Sequence, residues 1–258
     1  MTRHETFFAT HISGKEFVLA TDLDGTFLGA EKEHRQRFYS WLEAQRHQIG
    51  LIFVTGRDPA FIRDLSKRCG VPRPDFVIGD VGTTIASVSE DHEITPIEEL
   101  EAEIATAWGD AGKRVRAALD GMPGLSLQDT AFRHRLSYDL DPETFDARAT
   151  DIVTEMGLDA LVSDNRFFDV LPKGVSKGPS LRRLLSYLGV EERRTLAAGD
   201  TLNDLSMLKA GLPAVAVGNS EPALVEEISD ADNVYHARGP GVVGISEAIS
   251  HFRLYPAV

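Results

Sequence analysis

The chain holds 258 residues, 42% of them hydrophobic, with 27 basic side chains against 40 acidic ones for a net charge of −13. At roughly 150 residues per domain, that length makes one large domain or two modest ones, able to bury about three-quarters of the unfolded surface without disulfides or a structural metal. Disorder and collagen-like architecture are excluded, and the acidic balance makes nucleic acid and anionic membrane poor partners.

The first fifteen residues read as a loosely held lead-in, in which His4, Glu5 and His11 break up Phe7-Phe8 and leave no apolar core of a secretory signal. Phe17-Val18-Leu19-Ala20-Thr21, between Gly14 and Gly25, is a short apolar run that predicts a buried strand. Residues 33–47 carry Phe38, Trp41 and Leu42 at helical spacing among charges. Gly50-Leu51-Ile52-Phe53-Val54-Thr55 predicts a second buried strand, and Pro59 opens a helix to about Arg68. Phe76-Val77-Ile78 predicts a third strand. Apolar strands alternating with helices predict a parallel sheet covered on both faces.

The middle of the chain, 93–172, changes character. It predicts a long helix over 97–119, a half-exposed antiparallel strand from Phe132 to Tyr138 and a helix over 142–157 opened by Pro142. Leu161-Val162 and Phe167-Phe168-Asp169-Val170 flank the turn-like Asp164-Asn165. This is an α+β unit inserted into an α/β domain. The first rhythm then returns, with helices over 178–189, 203–210, from Pro222, and 243–252, and strands at Thr195–Ala198 and Ala214–Val217. No apolar run approaches the roughly 18 residues of a membrane span. The lone Cys69 has no partner for an internal disulfide and suits a reducing compartment, so a cytoplasmic location is expected.

In open α/β sheets, ligands bind beyond the carboxyl ends of the strands. Three predicted strands end there in polar loops: Asp22-Leu23-Asp24-Gly25-Thr26, Thr55-Gly56-Arg57-Asp58, and Gly199-Asp200-Thr201-Leu202-Asn203-Asp204. Any one of these aspartates is more often a turn former or helix cap, but the fold gathers all three loops at one edge. Asp22, Asp24, Asp200 and Asp204 would then crowd one crevice, where two carboxylates 5 Å apart repel by roughly 3 kcal/mol at an effective dielectric of 20. That crowding calls for a cation, and an all-oxygen donor set favours Mg²⁺ over zinc. Gly239-Pro240-Gly241-Val242-Val243-Gly244 fits a dinucleotide fingerprint only weakly and reads as a loop before the last helix.

The three loops, with a lysine between the second and third, resemble the four ordered motifs of the haloacid dehalogenase (HAD) superfamily, and the insertion is placed as in its C2B cap subgroup. Val81-Gly82-Thr83-Thr84-Ile85, Leu136-Ser137-Tyr138-Asp139-Leu140-Asp141-Pro142, Asp169-Val170-Leu171-Pro172 and Glu247-Ala248-Ile249-Ser250-His251-Phe252 resemble the sucrose-phosphate phosphatase family, from about residue 17 onward. The resemblance implies a Rossmann-like doubly wound parallel-sheet core from residues 1–92 and 173–258, with an α+β cap over 93–172. It implies a Mg²⁺-dependent phosphatase whose substrate is a small phosphorylated sugar, most simply a disaccharide phosphate of the sucrose 6-phosphate or mannosylfructose phosphate type.

Asp22 is implied as nucleophile and Asp24 as general acid and then base. Asp22, Asp200 and the Asp24 carbonyl would hold the metal, with Asp204 fixing the shell. Thr55, Gly56 and Lys177 would hold phosphate, and Asn203 would orient its neighbours. Lys173 competes with Lys177, which lies nearer the expected helix start. Arg57, Thr83, Thr84, Arg135, Ser137 and Tyr138 are candidate sugar contacts, although a solvated strand face is an equal reading for Arg133-His134-Arg135. A hexose phosphomutase and a phospho-accepting signalling domain are the alternatives; the second acid, Asp24, speaks for rapid turnover and against lasting phosphorylation.

Overall fold

The computed structural model describes residues 12–67, 70–130 and 132–256, so most of the lead-in, Arg68 and Cys69 lie outside the described residues. In chain order the elements are β1 (Phe17–Thr21), α1 (Lys32–Ala44), β2 (Ile49–Val54), α2 (Pro59–Lys67), β3 (Phe76–Gly79), β4 (Thr84–Val88) and β5 (Ile94–Pro96). Next come α3 (Glu98–Trp108), α4 (Ala111–Ala118), β6 (Leu125–Leu127), β7 (Leu136–Leu140), α5 (Arg148–Glu155), β8 (Leu158–Ser163) and β9 (Phe167–Pro172). The chain closes with α6 (Lys177–Leu188), β10 (Thr195–Gly199), α7 (Leu205–Leu208), β11 (Ala214–Ala216), α8 (Pro222–Glu227), β12 (Val234–His236) and α9 (Val242–His251).

The larger sheet has the order β12-β11-β10-β1-β2-β3-β4-β5, parallel from β12 to β3 and antiparallel at β4 and β5. Its central strands are buried on both faces, which is why they read as unbroken apolar runs. Val18, Ala20, Ile52 and Ala197 face a layer with Leu181 and Leu184 of α6. Phe17, Leu19, Leu51 and Leu196 face the opposite layer, with Phe38 and Leu42 of α1 and Ile245 of α9. Ile12, expected in a loose lead-in, is instead buried in the first of these layers.

A smaller antiparallel sheet, β6-β7-β9-β8, comes from the middle of the chain. Leu136, Tyr138, Phe168 and Val170 pack with Val115 of α4 and Val153 of α5 into a separate core. The expected boundary at residue 93 falls one residue before β5, which pairs with β4 in the larger sheet. Helix α3 spans the passage between the units: Leu100 and Ile104 lie in the larger core, Trp108 in the smaller.

The structure corrects several expected elements. The helix over 97–119 is two helices, broken where Gly109 takes a φ of 49°. The helix over 142–157 shrinks to α5, because Asp141 and Asp146 accept hydrogen bonds from Glu143 N and Arg148 N and build turns instead. The strand expected from Phe132 begins at Leu136. The helix over 203–210 is reduced to a tight turn and the short α7. Strands β4, β5, β6 and β12 are too short, or too mixed in composition, to stand out in the sequence. Among the described residues, no helix is long and apolar enough to cross a membrane.

Candidate active site

Strand β1 pairs with β2 on one side and β10 on the other, while the chain runs outward in both directions. The carboxyl ends of those strands therefore surround a topological switch point, where an open α/β sheet leaves a crevice. Asp22 follows β1 and prolongs the pairing, its N–H donating to the Ala198 carbonyl at 2.9 Å. Thr55 follows β2 and Asp200 follows β10.

Asp22, Asp200 and Asp204, all buried, each offer a carboxylate oxygen within 4.8 Å of the others. Lys177, with no exposed surface, donates to Asp22 Oδ1 at 2.7 Å, Asp204 Oδ1 at 2.6 Å and Asn203 Oδ1 at 2.6 Å. Lys173 is exposed in the turn after β9 and takes no part in this cluster. Asp204 Oδ2 accepts the backbone N–H groups of Asp200 at 2.9 Å and Thr201 at 3.0 Å, a capping interaction that holds the loop after β10. Thr26 Oγ1 donates to Asp200 Oδ1 at 2.6 Å, drawing the first and last loops together.

Burial pushes the Asp22 carboxyl well above the usual carboxylate range; Lys177 acts against that rise, and Asp204 and Asp200 add to it. Asp200 is pushed up to about 7, by burial first and the Asp204 charge second. For Lys177 burial disfavours the ammonium, but Asp204 and Asp22 outweigh it and hold the proton above the ordinary lysine range. One ammonium thus faces three buried carboxyl groups. That surplus of hard oxygen donors fits a divalent cation of the Mg²⁺ type.

Asp24 stands apart from this trio. Its carboxylate, about half exposed, receives Arg57 Nε at 2.7 Å and Arg57 Nη2 at 3.1 Å. The Arg57 guanidinium also lies over the Phe61 ring, 4.5 Å from its centroid. The Asp24 side chain is therefore turned toward the cavity mouth and away from the carboxylate cluster.

A cavity of about 470 Å³ opens above these groups, lined by Asp22, Asp24, Thr55, Gly56, Arg57 and Asn203 from the larger unit. Its opposite wall comes from the smaller unit and includes Gln128, Thr130, Ser163, Arg166 and Phe167. Of the candidate sugar contacts, Arg57, Arg135 and Ser137 reach this cavity. Thr83, Thr84 and Tyr138 do not line it. Thr83 Oγ1 donates to the Asp80 carbonyl and Thr84 Oγ1 to Asp80 Oδ2, both within the larger unit. Tyr138 packs edge-on against Phe168 in the smaller core, since neighbours on a strand point to opposite faces. The sequence reading passed over Asp80 and Asp169, which hold Arg135, and Ser163, whose buried hydroxyl has no hydrogen-bond partner among the described residues.

The sequence profile described as sucrose-6F-phosphate phosphohydrolase matches residues 15–253. The chain belongs to the sucrose-6F-phosphate phosphohydrolase family. This family member is 40% identical over 237 residues to the glucosylglycerol-phosphate synthase of Pseudomonas anguilliseptica, an alignment covering 91% of the chain and 30% of that protein. The chain therefore spans less than a third of the synthase. It is 26% identical to the mannosylfructose-phosphate phosphatase of Agrobacterium fabrum, over 93% of the chain and 98% of the relative. Among solved structures it resembles the sucrose-phosphatase of Synechocystis in complex with sucrose and phosphate, at a TM-score of 0.84 and 25% identity, covering 93% of this chain and 98% of that one. The fold is that of the HAD hydrolases.

Proposed function

We propose that this protein is a Mg²⁺-dependent phosphatase that removes phosphate from a phosphorylated disaccharide or comparable glycoside. One observation carries the reading: Asp22, ion-paired from beneath by the fully buried Lys177, lines a cavity of about 470 Å³ whose far wall, from the inserted unit, is largely polar. The names of the three similar proteins share a class of compound, a sugar joined to a second hydroxyl-rich unit, which the synthase is named for making and the two phosphatases for acting on.

Phosphate monoesters hydrolyse slowly without help, so positioning and charge neutralisation must supply most of the acceleration. In the proposed sequence an Asp22 oxygen attacks phosphorus and the bond to the sugar oxygen breaks. Asp24 delivers a proton to that oxygen, leaving an aspartyl phosphate. Asp24, now a carboxylate, takes a proton from water as the water attacks phosphorus, and Asp22 is released with inorganic phosphate. Thr55 and the Gly56 amide would hold phosphate oxygens; Lys177, whose three donors serve Asp22, Asp204 and Asn203, would offset negative charge beside them unless it exchanges one of those acceptors for phosphate.

Asp22 and Asp200 are the residues that would hold Mg²⁺, with the Asp24 backbone carbonyl. Both oxygens of Asp204 are already engaged by Lys177 and by backbone amides, so Asp204 orients the set. Bound there, the metal would neutralise charge on the phosphoryl group. Among sugar contacts we retain Arg57 and Ser137 from the sequence reading and add Ser163 and Phe167.

The test is phosphate release from a panel of phosphorylated mono- and disaccharides and glucosylglycerol phosphate, with Mg²⁺ and with EDTA. Release from a glycoside phosphate that needs Mg²⁺ supports the reading. Interconversion of hexose phosphates without net release, followed by phosphorus NMR, would replace it with a mutase.

A further inference from the structure

Arg135 joins the two sheets through a single guanidinium. It immediately precedes β7 in the smaller unit, and its side chain is 7% exposed. Toward that unit, Nη1 donates to Asp169 Oδ1 at 3.0 Å and to Ser137 Oγ. Toward the larger unit, Nε and Nη2 donate to Asp80 Oδ1 at 3.2 and 3.1 Å, and Nη2 donates to the Gly56 carbonyl at 3.0 Å. All three nitrogens are engaged by the protein itself. A guanidinium offers five donors in a rigid planar fork and so serves acceptors on opposite sides at once, which an ammonium cannot match.

The larger unit is built to receive it. Asp80 and Val81 have φ values of 53° and 57°, left-handed conformations that cost about 1–3 kcal/mol and persist where their surroundings over-determine them. Here the surroundings are the phosphate-holding loop itself: Asp80 N donates to the Arg57 carbonyl at 3.0 Å and Val81 N to the Thr55 carbonyl at 3.1 Å. Thr84 Oγ1 fixes the other Asp80 oxygen at 2.7 Å. Arg135 therefore grips the turn that braces the loop and, at Gly56, the loop as well.

Gly56 is the sensitive point. Its carbonyl belongs to the peptide plane whose N–H, on Arg57, donates to Thr55 Oγ1 at 3.2 Å. Turning that plane would move Thr55 Oγ1 and the root of Arg57, and Arg57 carries the Asp24 carboxylate. A contact made by the inserted unit thus fixes the proposed phosphate ligands and the proposed acid.

We propose that Arg135 is a positioning residue that locks the inserted sheet onto the Thr55-Gly56-Arg57 loop, so that the loop holds its binding geometry only while that sheet is seated. The inference deepens the function proposed above and, for its kinetic part, rests on it. A competent state populated only a tenth of the time raises the apparent dissociation constant about tenfold.

Hydrogen exchange of the full chain reads the lock without turnover. Arg135→Gln should speed exchange at the amides of Thr55, Arg57 and Val81 while β2 stays protected. Unchanged exchange there overturns the proposal, whether or not the wild type releases phosphate. Absence of any release from wild type would count against the phosphatase reading alone. With a working substrate, Arg135→Gln should raise KM about tenfold and leave kcat within about threefold. A lower kcat at unchanged KM, as from a smaller folded fraction, contradicts the lock. If Arg135→Gln does not fold, Arg135→Lys keeps the charge between the buried acids and should still loosen the loop; wild-type exchange and KM in that variant would overturn the proposal.

Discussion

Lys177 and Asp22 form a 2.7 Å ion pair in which the ammonium has no exposed surface. The lysine is the sole cation whose contacts reach the carboxylate trio among the described residues, and Asp204 shares it at 2.6 Å. Removing one partner of a buried pair strands the other, at a cost of about 3–5 kcal/mol. Lys177→Met should therefore lower the stability of the metal-free protein by about that amount, read from the urea midpoint, and abolish phosphate release. Added Mg²⁺ should recover part of the stability and none of the activity.

Gly25 directly follows Asp24, the second acid of the first loop, with a φ of 77°. A Cβ built there would stand 2.1 Å from Asp200 Oδ2. Gly25→Ala must displace Asp200 or twist the loop, in addition to about 1–3 kcal/mol of backbone strain. The expected outcome is a folded protein with a lower melting temperature and Mg²⁺ affinity reduced by calorimetry. Unchanged metal affinity would show that Asp200 does not need the space glycine leaves.

Arg57 and Asp24 form an ion pair with both side chains about half exposed, so the pair adds little to stability, about 0–1 kcal/mol. Its expected effect is on catalysis. Arg57→Ala frees Asp24 to turn away from the leaving oxygen and should lower kcat by about 10²-fold, the lower range for loss of acid–base catalysis. Its melting temperature should stay close to that of wild type.

Asp200 ties stability to pH in the metal-free protein. Its carboxyl is near 3.8 when free and pushed up to about 7 when folded, burial being the main cause. The folded state therefore holds the proton more tightly, and its contribution is full below pH 3.8 and lost as pH rises through 7. At about 1.4 kcal/mol per unit, the loss is about 4 kcal/mol. In EDTA, wild type should lose stability relative to Asp200→Asn between pH 4 and 7, and the difference should level off above that. Mg²⁺ affinity should fall as pH drops below 7, since the ion competes with that proton.

Much of the site was legible because of how a parallel sheet is built. Strands β1, β2 and β10, buried on both faces, appear as apolar runs, so the polar residues at their ends stand out: Asp22, Thr55 and Asp200. Asp80 does not stand out, because an aspartate after Gly79 and two residues before Gly82 reads as an ordinary turn; its left-handed φ and its grip on Arg135 are tertiary facts. Ser137 and Tyr138 are adjacent in sequence, yet they lie on opposite faces of β7, and only the packing of the strand shows that Ser137 lines the cavity while Tyr138 is in the smaller core. The two-helix break at Gly109 and the turn at Asp141 were hidden by apolar spacing that continues through them.

The most direct measurement of the account is the covalent state of Asp22 during turnover. With Asp24→Asn, which should form the intermediate slowly and discharge it more slowly still, peptide mass spectrometry after acid quenching is expected to find one phosphoryl group on Asp22. Turnover at the wild-type rate in Asp22→Asn, with no phosphoryl group on any carboxylate of the chain, would contradict it.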